Sequence, residues 1–231
     1  MGTCYSSPAK MYDVMSITKA VIGLLCDSTR EDLLNMTGYS EKWDYDDFRR
    51  HVERGDDLKA YANRHMAKDV KGFAYCNLAY QILASEHPDI AKRFGEFIGR
   101  PVTHVTPTWV SGDGWKWEHS RGQPLGPHGL YMSKEVGHLF GAKARPLLQG
   151  AKGVPILKGR WGGCGKDDMK RYWHGWFFKN DTAYAIGYVS QIIAVRLPRG
   201  QKPGKNVAVH FYTENWSKLN TSGCEFVHIT F

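Results

Sequence analysis

The sequence predicts an α+β domain in which helices pack on an antiparallel sheet. Two observations carry that expectation. Residues 12–98 are rich in helix formers with apolar residues at helical spacing, whereas residues 172–231 are rich in Tyr, Trp, Phe, Val and Ile and are punctuated by turn signals. Helices first and hairpins last is the pattern of an α+β fold rather than of alternating α/β units. With 231 residues, 42% hydrophobic and 13% aromatic, the chain suffices for one such domain, its helical part about 12–150 and its sheet part about 172–231. The same composition excludes a disordered, collagen-like or coiled-coil chain.

In chain order, residues 12–26 are apolar nearly all round once past Lys19, which predicts a helix buried inside the domain. After a turn at Asp27-Ser28, residues 30–70 carry many charges and read as short surface helices, with turns near Gly38 and Gly55. Residues 76–98 predict two amphipathic helices split at His87-Pro88. From 101 to 130 the chain is broken by Gly, Pro and Trp, so a long loop is expected, of the kind that usually serves function. Strands are expected over 172–179, 182–197, 206–213 and 224–231, set off by Asn180-Asp181 and by the stretch from Pro198 to Lys205. The sequence has no internal repeat and no linker that marks a domain boundary.

No apolar run reaches the roughly 18 residues that span a bilayer, and the first thirty residues lack the pattern of a signal peptide, so an intracellular, cytoplasmic protein without a membrane span is expected. Cys4, Cys26, Cys76, Cys164 and Cys224 form no Cys-x-x-Cys pair and predict reduced thiols. Ten histidines show no ligand spacing, and neither a metal nor a cofactor is expected. The net charge of +8 belongs to the second half: residues 116–231 carry 17 Lys/Arg against 7 Asp/Glu, while residues 1–115 carry 14 against 16. Gly162 to Lys166 fails as a phosphate loop because Arg160 stands where its first Gly belongs and Asp167 replaces the Ser/Thr.

The sharpest local pattern is Ser16-Ile17-Thr18-Lys19 at the start of the buried helix. Residues three apart share a helix face, so the lysine amine falls within reach of the serine hydroxyl. A serine is a weak nucleophile until something takes its proton, and a lysine whose pKa is depressed by burial can be that base. A lysine without a task would be costly in such apolar surroundings. The alternative is a helix-capping serine beside a surface lysine.

The stretch Met15 to Leu25 resembles the nucleophile helix of the serine β-lactamase and penicillin-binding protein superfamily. Further segments follow in that family's order. Leu33 to Gly38 resembles its Leu-Leu-x-x-Thr/Ser-Gly segment, and Tyr75-Cys76-Asn77 its Tyr-x-Asn motif. Gly126 to Ser133 is similar to the Gly-Gly-Leu-x-x-Ser/Thr turn, and Gly175-Trp176-Phe177 with Ala185 to Val195 to the strand pair that ends near the active site. The class C-like branch, with its esterases and 6-aminohexanoate-dimer hydrolases, is the nearest in pattern.

The resemblance implies a β-lactamase-like fold and a serine hydrolase of small esters or amides. Ser16 would attack the carbonyl, Lys19 would help deprotonate it, and Tyr75 would relay the proton to the leaving group. Asn77 would hold the substrate amide and the lysine, and the N–H groups of Ser16 and of Tyr188, after Gly187, would form the oxyanion hole. Trp109, Trp115 and Trp117 either line a substrate pocket or anchor the expected loop by burial. Three features depart from the pattern, one of them a shortened interval from Ser16 to Leu33. Ala185 stands where the family's third motif carries a cation, which removes a partner for a substrate carboxylate, and only 15 residues precede Ser16, too few for two N-terminal strands. The sheet is therefore expected to leave strand 182–197 or its neighbour with an open edge, closed by residues 224–231 or by a second copy in a homodimer. The second functional reading is a catalytically weak or inactive β-lactamase-like protein whose basic half, with Arg199, Lys202 and Lys205, binds nucleic acid or another polyanion.

Overall fold

A computed structural model describes residues 10–156, 169–188, 191–197 and 206–211. In chain order these form β1 (Tyr12–Asp13), α1 (Ile17–Leu25), α2 (Glu31–Leu34), β2 (Ser40–Glu41), α3 (Tyr45–Arg54), α4 (Leu58–His65), β3 (Met66–Ala67), α5 (Asn77–Glu86) and α6 (Ile90–Ile98). There follow β4 (Val102–Val105), β5 (Trp109–Gly112), β6 (Trp115–Ser120), β7 (Gln123–Pro124), β8 (Leu130–Met132), α7 (Lys134–Leu148), β9 (Val154–Pro155) and β10 (Arg171–Trp173). The last are β11 (Trp176–Lys179), β12 (Thr182–Ile186), β13 (Ile192–Arg196) and β14 (Val207–His210). The architecture is mixed α+β with antiparallel pairing in every ladder.

One six-stranded sheet runs β14-β13-β12-β11-β10-β9. Between β10 and β11 two positive φ angles in a row let a two-residue loop match the twist of the strands: His174 and Gly175, at 47° and 89°. Helix α7 lies against β13 and β14, where Gly141 lets the backbones close in; an added Cβ there would sit 2.6 Å from Val207 Cγ1. Ser133 starts that helix by accepting a hydrogen bond from the Val136 N–H. Helix α1 is packed under the β10–β11 hairpin so closely that a Cβ on Gly23 would come within 2.1 Å of the His174 carbonyl oxygen. Trp115, Trp117 and Trp176 are fully buried in the core between these layers, each removing on the order of 150–250 Å² from water.

The expected loop over 101–130 is instead the second sheet, ordered β1-β8-β6-β5-β4 with β7 paired to β6. Two short loops make it: Asp113-Gly114, with Gly114 at φ 75°, and Arg121-Gly122, at 47° and 81°. Along β6, Trp115 and Trp117 turn into the core while Lys116 and Glu118 turn outward, which is strand alternation. Burial thus accounts for Trp115 and Trp117, which do not line a pocket.

Three boundaries also move. The buried helix begins at Ile17, because Tyr12–Asp13 pairs with β8 and Met15 adopts a left-handed φ of 51°. Residues 172–179 and 182–197 each split into a hairpin, the second at Gly187, whose N–H donates to the Gln191 carbonyl at 2.7 Å. Among the described residues β12 and β13 lie inside the sheet, which their neighbour β14 ends on one side and β9 on the other. The strand expected over 224–231 lies outside the described residues, as do Arg199, Lys202 and Lys205. Among the described residues, no helix is long and apolar enough to cross a membrane.

Candidate active site

Ser16 is the N-cap of α1, and its side chain makes no capping bond to the helix. Its hydroxyl instead accepts a hydrogen bond from the Lys19 amine at 2.7 Å. The turn before it is held in place from several sides. The Met15 N–H donates to Asp13 Oδ1 at 2.9 Å, the Thr18 hydroxyl donates to the Met15 carbonyl at 2.6 Å, and the Val14 N–H donates to the Leu130 carbonyl at 3.1 Å. These bonds oppose the strain of a non-glycine residue at positive φ, which costs about 1–3 kcal/mol where nothing enforces it.

Lys19 is 1% exposed and also donates to the Pro127 carbonyl at 2.7 Å. Burial drives its pKa down to about 7, an effect only partly offset by the negative charge of Glu41. At neutral pH about half of it is therefore free amine, the form able to accept the serine proton. Tyr75, just ahead of α5, lies over the same spot: the Lys19 amine is 5.1 Å from its ring centroid, and its hydroxyl is hydrogen-bonded to Ser16. Burial holds the Tyr75 phenol protonated well above its ordinary range. The structure thus brings Ser16 and Lys19, at the start of α1, and Tyr75, just ahead of α5, into one contact cluster from segments far apart in sequence.

Asn77 is placed differently from its expected role. Its amide nitrogen donates to Glu41 Oε1 at 2.9 Å, and the second acceptor of Lys19 is the Pro127 carbonyl rather than Asn77. Gly187 lies against the turn that leads into Ser16, with room for no side chain: an added Cβ would fall 2.3 Å from the Val14 carbonyl oxygen. Tyr188, the next residue, is 61% exposed. Trp109 stands on the outer face of the second sheet, its ring 5.5 Å from that of Tyr131 and 4.3 Å below the Lys116 amine. The Tyr131 hydroxyl is hydrogen-bonded to Asp13, so Trp109 is joined to the turn before Ser16 through two side chains. Ala185, at the position where the resemblance implies a missing cation, is fully buried.

Two neighbours were not foreseen from the sequence. His128 is 6% exposed beside the rings of Tyr45 and Phe48, and burial together with the Lys19 and Arg49 charges drives its pKa down to about 3, so it stays neutral. Glu41 binds the start of α5 and its charge is felt at Lys19 and Tyr75. Neither sits in a spacing pattern with the nucleophile. A hollow of about 320 Å³ lined by Pro88, Ala91, Pro101, Val102, Val105 and Val110 lies away from Ser16, between α6 and β4.

Of the basic half, Arg145 and Arg196 do come together, the Arg145 Nε donating to the Arg196 carbonyl at 2.8 Å. Tyr172, an aromatic side chain of the basic half on which a nucleic-acid base could stack only if it were open, is fully buried, and Trp173 stacks on His174 at 4.1 Å. No protein-family model matches the chain, and no curated protein matches it.

Proposed function

We propose that the protein is a serine hydrolase that cleaves small esters or amides through an acyl-enzyme on Ser16, on a β-lactamase-like scaffold. The observation that carries this reading is the 2.7 Å hydrogen bond from a buried lysine amine to a helix-capping serine that caps nothing. The neutral Lys19 amine takes the Ser16 proton, directly or through Tyr75, as the Ser16 oxygen bonds to the substrate carbonyl carbon. The carbonyl becomes an oxyanion, for which the N–H groups of Ser16 and Tyr188 are the donors in this reading. Collapse of that intermediate breaks the bond to the leaving group, which leaves with the proton relayed by Tyr75. A water then attacks the acyl-serine by the reverse proton path, releasing the acid and restoring Ser16.

Substrates without a carboxylate beside the scissile bond fit best, because a buried Ala185 occupies the third motif. Trp109 and Tyr131 offer an aromatic wall for an apolar group. The polyanion reading has less support, since Tyr172 is buried and the Arg145 Nε is already engaged.

A fluorophosphonate probe and a chromogenic short-chain ester test the proposal. The wild type should form a stoichiometric adduct at Ser16 and turn over the ester, and Ser16→Ala should do neither. Turnover equal in the two proteins would overturn it.

A further inference from the structure

Three groups at the start of α5 converge on one carboxylate. Glu41 Oε1 accepts from the Asn77 amide nitrogen at 2.9 Å, while Oε2 accepts from the Leu78 N–H at 2.8 Å and from the Cys76 thiol at 3.5 Å. Cys76 is the N-cap of that helix and makes no capping bond of its own, so Glu41 supplies the cap from another element, the short strand β2. A negative charge is favoured there by the helix dipole as well as by the open N–H groups. The other side of the same segment is fixed by the Met36 carbonyl, which accepts from the Ala74 N–H at 2.9 Å. Tyr75 stands between these two anchors.

The charged and titratable groups felt at or near Lys19 come from three elements. Tyr75 and Cys76 stay protonated, because burial pushes both well up. His128, in the segment before β8, stays neutral with its pKa held near 3. Glu41 is thus the charged counterpart of Lys19 among the described residues, and it reaches from β2.

We infer that Glu41 is a positioning residue of the site, fastening the Tyr75–Cys76–Asn77 segment over Ser16 and setting the proton affinity of Lys19 with its charge. The inference rests on the reading of Ser16, Lys19 and Tyr75 as one reactive unit. A capping acid with a purely structural role would fix the segment and leave the titration of Lys19 untouched.

Glu41→Gln keeps the shape and removes the charge, and Glu41→Asp keeps the charge while withdrawing the carboxylate from its donors. Two readouts separate the possibilities: the pH profile of ester turnover or probe labelling, and the titration of Lys19 followed by NMR in protein carrying ¹³C at the lysine ε-carbon, assigned with Lys19→Met. Removing a negative charge favours the free amine. In Glu41→Gln the acid limb and the Lys19 titration should therefore both move down by about one pH unit, and the plateau should fall about tenfold. In Glu41→Asp both should stay near the wild-type position while the plateau falls. A lowered plateau with an unmoved titration in Glu41→Gln would overturn the electrostatic role, and an unmoved plateau in both variants would overturn the positioning role. If Glu41→Gln does not fold, Glu41→Asp decides: a plateau equal to the wild type overturns the inference. A Lys19 titration that shifts in a protein showing neither labelling nor turnover would support the role of Glu41 and remove the hydrolase reading, so the two fail separately.

Discussion

Replacing Lys19 by Met should stabilise the protein while abolishing turnover. The lysine is 1% exposed, and its pKa falls from 10.5 to about 7, chiefly through burial. At 1.36 kcal/mol per unit, keeping this amine in the folded state costs about 4 kcal/mol at pH 7. Below about pH 7 both states hold the proton and the cost is at its full, constant value. Between pH 7 and 10.5 the unfolded chain binds more protons than the folded one, so stability climbs with pH, and above 10.5 the cost is gone. Methionine fills nearly the same volume but leaves the Pro127 carbonyl without the donor it has at 2.7 Å, a loss of about 1–3 kcal/mol. The net gain is about 1–3 kcal/mol at pH 7, or roughly 2–4 °C in Tm for each kcal/mol in a chain of this size. Urea denaturation at pH 7 and at pH 9.5 measures it, and the advantage of Lys19→Met should shrink by about 3 kcal/mol between the two. A variant less stable than the wild type at pH 7, or a difference that ignores pH, would refute the account of Lys19 as a strained buried base.

Tyr75→Phe keeps the ring over the Lys19 amine and removes the hydroxyl bonded to Ser16; kcat should fall about 100-fold or more with little change in Tm, and a kcat within about threefold of wild type would remove Tyr75 from the proton path. Gly23→Ala drives a Cβ to within 2.1 Å of the His174 carbonyl, backbone against backbone, so denaturation should show a loss of about 1–3 kcal/mol or more, and an unchanged midpoint would contradict the packing of α1 under the β10–β11 hairpin.

What could be read from the sequence was what depends on neighbours along the chain. One helical turn between Ser16 and Lys19 fixes their meeting, and Pro88 fixes the break between α5 and α6. The second sheet was missed because the segment 101–130 is dense in Gly, Pro and Trp, although Asp113-Gly114 was a legible hairpin signal and Trp115/Trp117 alternate with Lys116/Glu118. Arg121 and His174 were harder to foresee, since both take positive φ without being Gly, Asn or Asp, and only strand pairing on either side makes them do so. Glu41 could not be found by spacing at all. Its partners lie more than thirty residues away, and a carboxylate among many in a charged stretch carries no mark of the helix it will cap.

Several local costs of this fold meet around one serine. A left-handed Met15, a buried amine and a glycine forced against the Val14 carbonyl each work against stability, and all lie within a few residues of Ser16 or in contact with its turn. A serine serving only as a cap would need none of them, because its oxygen would accept from an N–H of its own first turn; here it takes the lysine amine instead. The charges around Asp13 narrow the chemistry further. Arg49 is held by Glu118 at 2.7 Å in a partly buried pair, and the Lys116 amine rests over the rings of Trp109 and Tyr131. Both cations are thus already engaged, and Ala185 adds none. Binding a substrate carboxylate through either of these two cations would compete with the contacts they already make, so uncharged esters and amides are the substrates with which to test the proposed hydrolase.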